Sequence, residues 1–273
     1  MVDRYAGSGR VLTHSIVHPN LGEPELERMG EWSAQLRPAG WKVYTLWDPP
    51  EGPTGGWYLD DETGEAFLDR VSELGPRIVC AHKGLAGPIP SSAPAAASPR
   101  DIGPAARAHP DIDFVVYHSG YDIDAISEEG AHTDDPQRGV SRLVSSLAVA
   151  GVGPGANVWA ELGSTWSVVL RRPVEAAHVI GKLLLAVGED RILWGTDSVW
   201  YGPPQPLIDA FRAFTIPERL RHDHGYPALT ADVKQKILGG NAARLYGIDP
   251  VLRPPDELTW ISQARAELAA RLA

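Results

Sequence analysis

The hydrophobic residues of this chain collect in six short runs that show no alternation between apolar and polar positions. The runs cover residues 10–18, 41–47, 77–82, 114–118, 158–162 and 191–197. Each run is rich in β-branched or aromatic residues, and a strand that is apolar on both faces is typical of a parallel sheet covered on both sides. The pattern therefore predicts six buried parallel strands.

Segments with helical periodicity separate these runs. The clearest is 173–188, which Pro173 begins and Gly188 ends. Weaker helical patterns occupy residues 61–75, 101–110 and 139–151. The apolar face predicted for the helix at 173–188 consists of Val174, Ala177, Gly181, Leu184 and Leu185. The alternation of strands and helices predicts an α/β fold.

The connections between the predicted elements are unequal in length. Those that follow strands are long, at residues 83–99 and 119–138, whereas those that lead from helices into strands are short. In α/β proteins, ligand sites form from the loops beyond the carboxyl ends of parallel strands. We therefore expect the functional site at that end of the sheet, although the Pro/Ala/Ser-rich residues 83–99 are also typical of a disordered insertion.

Polar residues with acid, base or ligand chemistry stand at the ends of the predicted strands. His18, His82, His118 and Asp197 fall at carboxyl ends, and Glu161 is one residue short of one. Because the carboxyl ends of parallel strands meet at one rim, we expect these side chains to share a pocket. Imidazole and carboxylate groups bind zinc-type ions and act as general acids and bases.

Several of these residues have a second interpretation. His18 precedes Pro19 and could cap a turn, and Glu161 could face the barrel interior or pair with a lysine. Lys83 could take part in chemistry or neutralise nearby acids. Lys42 opens its predicted strand at the amino end, so we expect it on the opposite face, where residues stabilise the fold.

Composition argues against several classes of function. The net charge of −10 does not fit a nucleic-acid groove, which needs a basic stripe. No run approaches the roughly 18 apolar residues of a transmembrane helix. We therefore expect no nucleic-acid or membrane partner and a cytoplasmic location.

Cys80 is the only cysteine, which precludes an internal disulfide. Neither a dinucleotide-binding glycine motif after a strand nor a Gly-x-Ser-x-Gly elbow occurs.

Five segments, in order, resemble motifs of the amidohydrolase-related family, in the branch of the aminocarboxymuconate-semialdehyde decarboxylase-like enzymes. They are IVCAHKGL, FVVYHSGY, NVWAELGSTW, ILWGTDSVWYG and GNAARLYGI. The resemblance implies a TIM-type (β/α)8 barrel with one divalent metal ion, for which we expect zinc. It assigns His82 as the metal ligand on strand 5, His118 as the histidine of strand 6, and Asp197 as the aspartate of strand 8.

The resemblance also implies two strands more than the apolar pattern shows. If Asp197 follows strand 8, the six runs are strands 3 to 8, and the His-x-His pair that the family carries on strand 1 is missing. We therefore expect an incomplete barrel over residues 1–250, followed by a helical tail over 251–273. Runs 10–18 and 191–197 would then expose apolar edges, which could be covered by a second copy of the chain in a homo-oligomer.

The implied function is that of a metal-dependent hydrolase acting on a small, preferably aromatic, carboxylic acid derivative. His82 and Asp197 would hold the ion, Asp197 would accept a proton from the bound water, and His118 would polarise a carbonyl or shuttle a proton. A planar substrate would suit an aromatic pocket wall. The candidates for this wall, which could equally pack in the core, are Trp166, Trp194, Trp200 and Tyr201.

Two other functions stay open on the sequence. Non-oxidative decarboxylation could use the same site, because the motifs do not separate C–N or C–O hydrolysis from C–C cleavage. An incomplete chain could also be catalytically inactive and keep only an interaction role.

Overall fold

Six parallel strands, hydrogen-bonded in the order in which they occur in the sequence, form the sheet of the protein. The computed structural model describes residues 11–50, 52–87, 89–122, 128–249 and 267–271. The strands are β1 (His14–Ile16), β2 (Gly40–Tyr44), β3 (Ile78–His82), β4 (Asp113–Tyr117), β5 (Val158–Glu161) and β6 (Ile192–Leu193). All six predicted strands are confirmed, although β2 and β4 each begin one residue earlier than predicted and the other four are shorter. Sequential parallel pairing is the topology of a TIM-type barrel.

Helices connect successive strands, as the alternating pattern predicts. The α-helices are α1 (Glu23–Leu36), α2 (Glu62–Leu74), α3 (Ile102–Ala108), α4 (Ser141–Ala150), α5 (Thr165–Val169), α6 (Pro173–Ala186), α7 (Ser198–Tyr201), α8 (Gln205–Ala213), α9 (Glu218–His224), α10 (Ala231–Gln235) and α11 (Asn241–Leu245). A π-helical turn at Lys236–Gly240 joins the last two. Of the predicted tail at 251–273, only residues 267–271 are described, and they are helical.

Local sequence explains where the better-formed helices begin and end. Asp61 caps α2 by accepting the Gly64 N–H at 2.9 Å, which satisfies one of the free donors of the first turn. Pro173 starts α6 at a position where a missing N–H costs nothing. The predicted apolar face of α6 is only partly right, because Val174 and Leu185 are exposed.

The two faces of the sheet carry different cores. Val79 and Ala81 of β3 point outward into the large core between the sheet and the helices. Cys80 points inward, where it packs with residues such as Val115 and Trp159. This alternation follows from the two-residue period of a strand, and it explains why each run is apolar throughout.

The predicted exposure of apolar residues at the two outer strands is only half right. Val11, Leu12 and Ile16 at β1 are exposed, but Ile192 and Leu193 of β6 are buried. Residues 237–241, here called the C-terminal segment, cover β6. The Trp194 N–H donates to the Ile237 carbonyl, and the Asn241 side-chain amide donates to the Ile192 carbonyl. That two strands are missing from the barrel stays a prediction.

Candidate active site

A cavity of about 920 Å³ opens at the carboxyl ends of the strands, and His82, His118 and Asp197 of the predicted site residues line it. Such a volume suits a small ligand. The walls carry both charged and apolar groups, among them Lys42, Tyr44, His82, Tyr117, His118, Ser164, Asp197, Trp200 and Tyr201. The long loop after β3 contributes Leu85 and Ile89, and its described part is ordered, with 3-10 turns at Pro94–Ala97 and Pro99–Asp101.

Strained backbone surrounds this cavity. Among the described residues, six other than glycine have a positive φ, and all but Arg37 belong to the cavity wall or adjoin it. Left-handed backbone costs an ordinary L-residue energy and is retained where the surroundings enforce it, often at functional sites. The five residues are Leu85, His118, Ser119, Ser164 and Asp197.

A chain of hydrogen bonds orients the two predicted histidines. His118 follows β4, and its Nδ1 lies 2.6 Å from the Gly163 carbonyl oxygen. Because a carbonyl only accepts, the proton of neutral His118 is on Nδ1, and its Nε2 then accepts from the His82 Nδ1 at 3.2 Å. The remaining nitrogen of His82, Nε2, is left with a free lone pair. It is buried and has no hydrogen-bond partner in the described structure.

Burial keeps both rings neutral. Desolvation, and next the neighbouring His118, lower the pKa of His82 to about 2. Burial likewise lowers the pKa of His118, although the Gly163 carbonyl and the Asp197 carboxylate oppose this shift. The pair is therefore a hydrogen-bonded acid–base unit that is uncharged at neutral pH and ends in a free acceptor.

Asp197 adjoins this pair and is partly open to the cavity. Its φ is +48°, and its Oδ2 accepts a hydrogen bond from the Ser164 hydroxyl at 2.5 Å. The same Oδ2 lies 3.7 Å from His118 Nδ1, and the Asp197 side chain is 32% exposed. The structure thus brings His82, His118 and Asp197 together, and Asp197 is the member of the group that solvent or a ligand reaches most easily.

Glu161 ends β5 with its side chain on the inner face and holds the turn that carries His118. Its carboxylate accepts the N–H groups of His118 at 3.2 Å and Gly163 at 2.7 Å. Burial raises the pKa of Glu161 to about 7, against the effect of both N–H donors and of Lys42. The site needs glycine at position 195, because a Cβ there would lie 1.5 Å from a carboxylate oxygen of Glu161.

The position predicted for Lys42 is wrong. This residue is the third of β2 and lines the cavity, rather than lying at the amino end on the stabilising face. Its Nζ sits 3.2 Å from the centroid of the Tyr117 ring and has no hydrogen-bond partner in the described structure. The error arose because β2 begins at Gly40 and ends at Tyr44, earlier than the apolar run suggests.

Two of the other candidate residues lie outside the cavity wall. Lys83 follows His82 and therefore points to the opposite face of the strand, where its Nζ is fully buried and pairs with Asp101 at 2.8 Å. It anchors the loop after β3. His18 stacks on the Trp47 ring with 4.1 Å between the ring centroids, so it serves packing rather than the cavity.

The predicted aromatic wall separates into two groups. Trp200 and Tyr201 of α7 line the cavity mouth and are 79% and 47% exposed. Trp166 is buried, and its indole N–H donates to the Leu207 carbonyl at 3.0 Å. Trp194 packs with Trp166 against Phe211 in the outer core. The helical period of α5 turns Trp166 toward this core, so the prediction that it lines the pocket is wrong.

The described residues do not fit a resident, tightly bound metal ion. They contain no group of three or more His, Cys, Asp and Glu side chains placed to hold one. His82 Nε2 and the Asp197 carboxylate have suitable chemistry, but a catalytic zinc ion normally takes three protein ligands.

Sequence comparison identifies the family of this chain. The family model described as Amidohydrolase matches residues 5–248, and the chain therefore belongs to the amidohydrolase family. It is an enzyme of hydrolase or decarboxylase type, in agreement with the five motifs. No curated protein sequence matches the chain significantly. Among the described residues, no helix has the length and apolar character needed to span a bilayer.

Three solved structures with a similar fold are decarboxylases of aromatic acids. A crystal structure of 2,6-dihydroxybenzoate decarboxylase with 2,6-dihydroxybenzoate gives a TM-score of 0.54 at 16% identity, covering 90% of this chain and 74% of that chain. The enzyme from Rhizobium gives 0.54 at 17% identity over the same shares. A dihydroxybenzoic acid decarboxylase from Polaromonas, with manganese and 2-nitroresorcinol, gives 0.56 at 16% identity, covering 92% and 73%. At these identities the similarity demonstrates a common fold.

Proposed function

We propose that this protein removes carbon dioxide, without oxidation, from a small aromatic carboxylic acid bound in the cavity. The observation that carries the proposal is the hydrogen-bonded pair of His82 and His118 beside Asp197, in a pocket with tyrosine and tryptophan in its wall. Decarboxylation of an arene needs a proton donor and a dry, planar binding site. The fold shared with aromatic acid decarboxylases supports this choice.

The reaction converts an aromatic carboxylate and one proton into the arene and carbon dioxide. In the proposed course, the neutral histidine pair first takes up one proton from solvent. This proton then passes to the ring carbon that bears the carboxylate, and the bond between that carbon and the carboxyl carbon breaks. The electron pair of this bond restores the aromatic ring. His118 delivers the proton, and Asp197, 3.7 Å from its Nδ1, stabilises the imidazolium form.

The zinc ion expected from the family resemblance stays a prediction for this chain. His82 and Asp197 are its expected ligands, and no step above depends on it. A cytoplasmic location, a small-molecule substrate and a homo-oligomer likewise stay predictions.

Hydrolysis of a carboxylic acid derivative is the second candidate function. It is favoured by the partial exposure of Asp197, whose carboxylate beside His118 could accept a proton from an attacking water. The two reactions share a site and differ in their products.

Product analysis on a panel of substrates tests the proposal. The panel comprises hydroxybenzoates, including 2,6-dihydroxybenzoate, together with matched amides and lactones. We expect carbon dioxide and the arene from at least one acid, in equal amounts. A new carboxylate from an amide or lactone, without carbon dioxide, would favour hydrolysis. No turnover of any compound by a folded chain would favour the inactive form.

A further inference from the structure

Lys42 is a buried cation, and no acidic group among the residues that the structure describes forms an ion pair with it. Its side chain is on the inner face of β2, and the residue is only 6% exposed. The Nζ lies 3.2 Å from the centroid of the Tyr117 ring and 4.9 Å from that of Tyr44, but it donates no hydrogen bond within the described structure. A buried ammonium group without an acceptor is costly, and aromatic faces compensate only part of that cost.

The two carboxylates of the site, Glu161 and Asp197, already accept hydrogen bonds from other groups. Both N–H groups bonded to Glu161 come from the backbone, at His118 and Gly163. Asp197 accepts from the Ser164 hydroxyl. Neither carboxylate forms an ion pair with Lys42, so within the described part of the chain its ammonium group has only the faces of aromatic rings as partners.

Strand register places Lys42 deeper in the cavity than the catalytic histidines. On β2 and β3, Lys42 pairs with Cys80, and Tyr44 pairs with His82. Successive inward side chains therefore put Lys42 one layer below His82, with Tyr44 and Tyr117 between it and the mouth. A flat ligand that enters past Trp200 and Tyr201 reaches these two tyrosine rings, and the ammonium group lies at the floor beneath them.

We propose that Lys42 is the anion-binding residue of the cavity and selects ligands that carry a carboxylate. The inference rests on the proposed function in taking a carboxylate as the charged group of the ligand. Binding exchanges an unpartnered ammonium group for a charge-assisted hydrogen bond, which is about twice as strong as a neutral one. The tyrosine faces hold the ring of the ligand, and Lys42 is a specificity-determining residue.

The test compares benzoate with benzamide, which has nearly the same shape and no charge. Calorimetric titration of the full chain in the presence of EDTA measures both dissociation constants without any contribution from a bound metal ion. For the wild-type protein we expect benzoate to bind at least about tenfold more tightly than benzamide. Equal affinity for the two compounds would overturn the proposal without the need for any variant.

The variant Lys42→Met identifies the residue responsible. Methionine keeps the length of the side chain, and replacing an unpaired buried charge by an apolar group should not unfold the protein. We expect benzoate affinity to fall about 10- to 100-fold, with benzamide affinity unchanged. The control, Lys234→Met, removes a half-buried lysine in α10 that lies outside the cavity and donates to the Arg212 carbonyl, and it should change neither value. Benzoate binding that survives Lys42→Met would also overturn the proposal.

These outcomes are separate from those that test decarboxylation. Charge-selective binding that depends on Lys42, without any release of carbon dioxide, would contradict the proposed function and leave this inference intact. Release of carbon dioxide by the wild-type protein, together with normal benzoate binding by Lys42→Met, would support the proposed function and overturn this inference.

Discussion

His118 combines an unusual backbone with a central position in the hydrogen-bond chain. Its φ is +62°, and it contacts both His82 and the Gly163 carbonyl. Because asparagine tolerates left-handed backbone better than most residues, His118→Asn removes the imidazole with little strain. We expect turnover to fall about 10²- to 10⁴-fold, the usual contribution of a positioned acid or base, with the melting temperature nearly unchanged.

The matched control for His118→Asn is His222→Asn, since the His222 side chain is 88% exposed and lies in α9. Steady-state kinetics and thermal unfolding are measured on both variants. Normal turnover by folded His118→Asn would remove His118 from the proposed mechanism.

Glu161 makes the stability of the protein depend on pH. Its pKa is about 7 in the folded state, against an ordinary value of 4.5. Between these values the folded state binds more protons than the unfolded state, so the contribution of Glu161 to the free energy of unfolding falls as pH rises. At about 1.4 kcal/mol per pH unit, this loss amounts to a few kcal/mol.

The pH effect is measured as a difference between wild type and Glu161→Gln, by urea unfolding at pH 5 and pH 7. We expect wild type to lose stability relative to the variant as the pH rises. Glu27→Gln, at an exposed position of α1, is the control and should follow wild type. Parallel pH profiles for wild type and Glu161→Gln would show that Glu161 is ionised in the same way in both states.

The sequence predicted single residues well where strand ends decide their position. His82, His118 and Asp197 were placed at the carboxyl ends of apolar runs, and the structure brings them together. Lys42 was misplaced because hydrophobicity does not mark where the hydrogen-bonded part of a strand begins. Trp166 was misplaced because only tertiary packing decides which side of a short helix meets the core.

At the scale of elements, close approach of β5 and the segment after β6 depends on a glycine. Gly195 faces Glu161 across these neighbouring strands, and a Cβ there would also lie 3.0 Å from the Gly163 nitrogen. We expect Gly195→Ala to lower the free energy of unfolding by about 1–3 kcal/mol, as overpacking of a close contact does.

The control for Gly195→Ala is Gly239→Ala, in the π-helical turn, where a Cβ meets nothing within 4 Å. Alanine there should be neutral or stabilise by up to about 1 kcal/mol. Urea unfolding of both variants measures the free energy of unfolding, and we expect a lower midpoint for Gly195→Ala. Equal midpoints would show that the contact between Gly195 and Glu161 is not tight in solution.

The strands were predictable as elements because burial on both faces leaves continuous apolar runs. The helices were less predictable from the sequence. Helix α1 buries little besides Glu25 and Met29, which gives its sequence too few apolar positions for a recognisable face. The cover that the C-terminal segment places over β6 is a long-range contact, and no local pattern indicates it.

At the scale of the whole molecule, we expect the protein to bind a metal ion weakly, because only two residues of the site are expected metal ligands. His82 and Asp197 fall short of the three protein ligands that catalytic zinc normally takes. We expect elemental analysis after gel filtration to find well below one equivalent of zinc per chain, with folding unaffected by EDTA. A full equivalent of zinc would show that further ligands exist, with His118, which adjoins both residues, and Glu161 the first to test.

The measurement that tests the central claim most directly follows the proton during turnover in heavy water. If the histidine pair protonates the ring as the carboxylate leaves, the arene carries one deuterium at the carbon that bore the carboxylate, and carbon dioxide appears in equal amount. Nuclear magnetic resonance of the product locates the deuterium. Release of a new carboxylic acid without carbon dioxide, or an arene without deuterium at that carbon, would contradict the account.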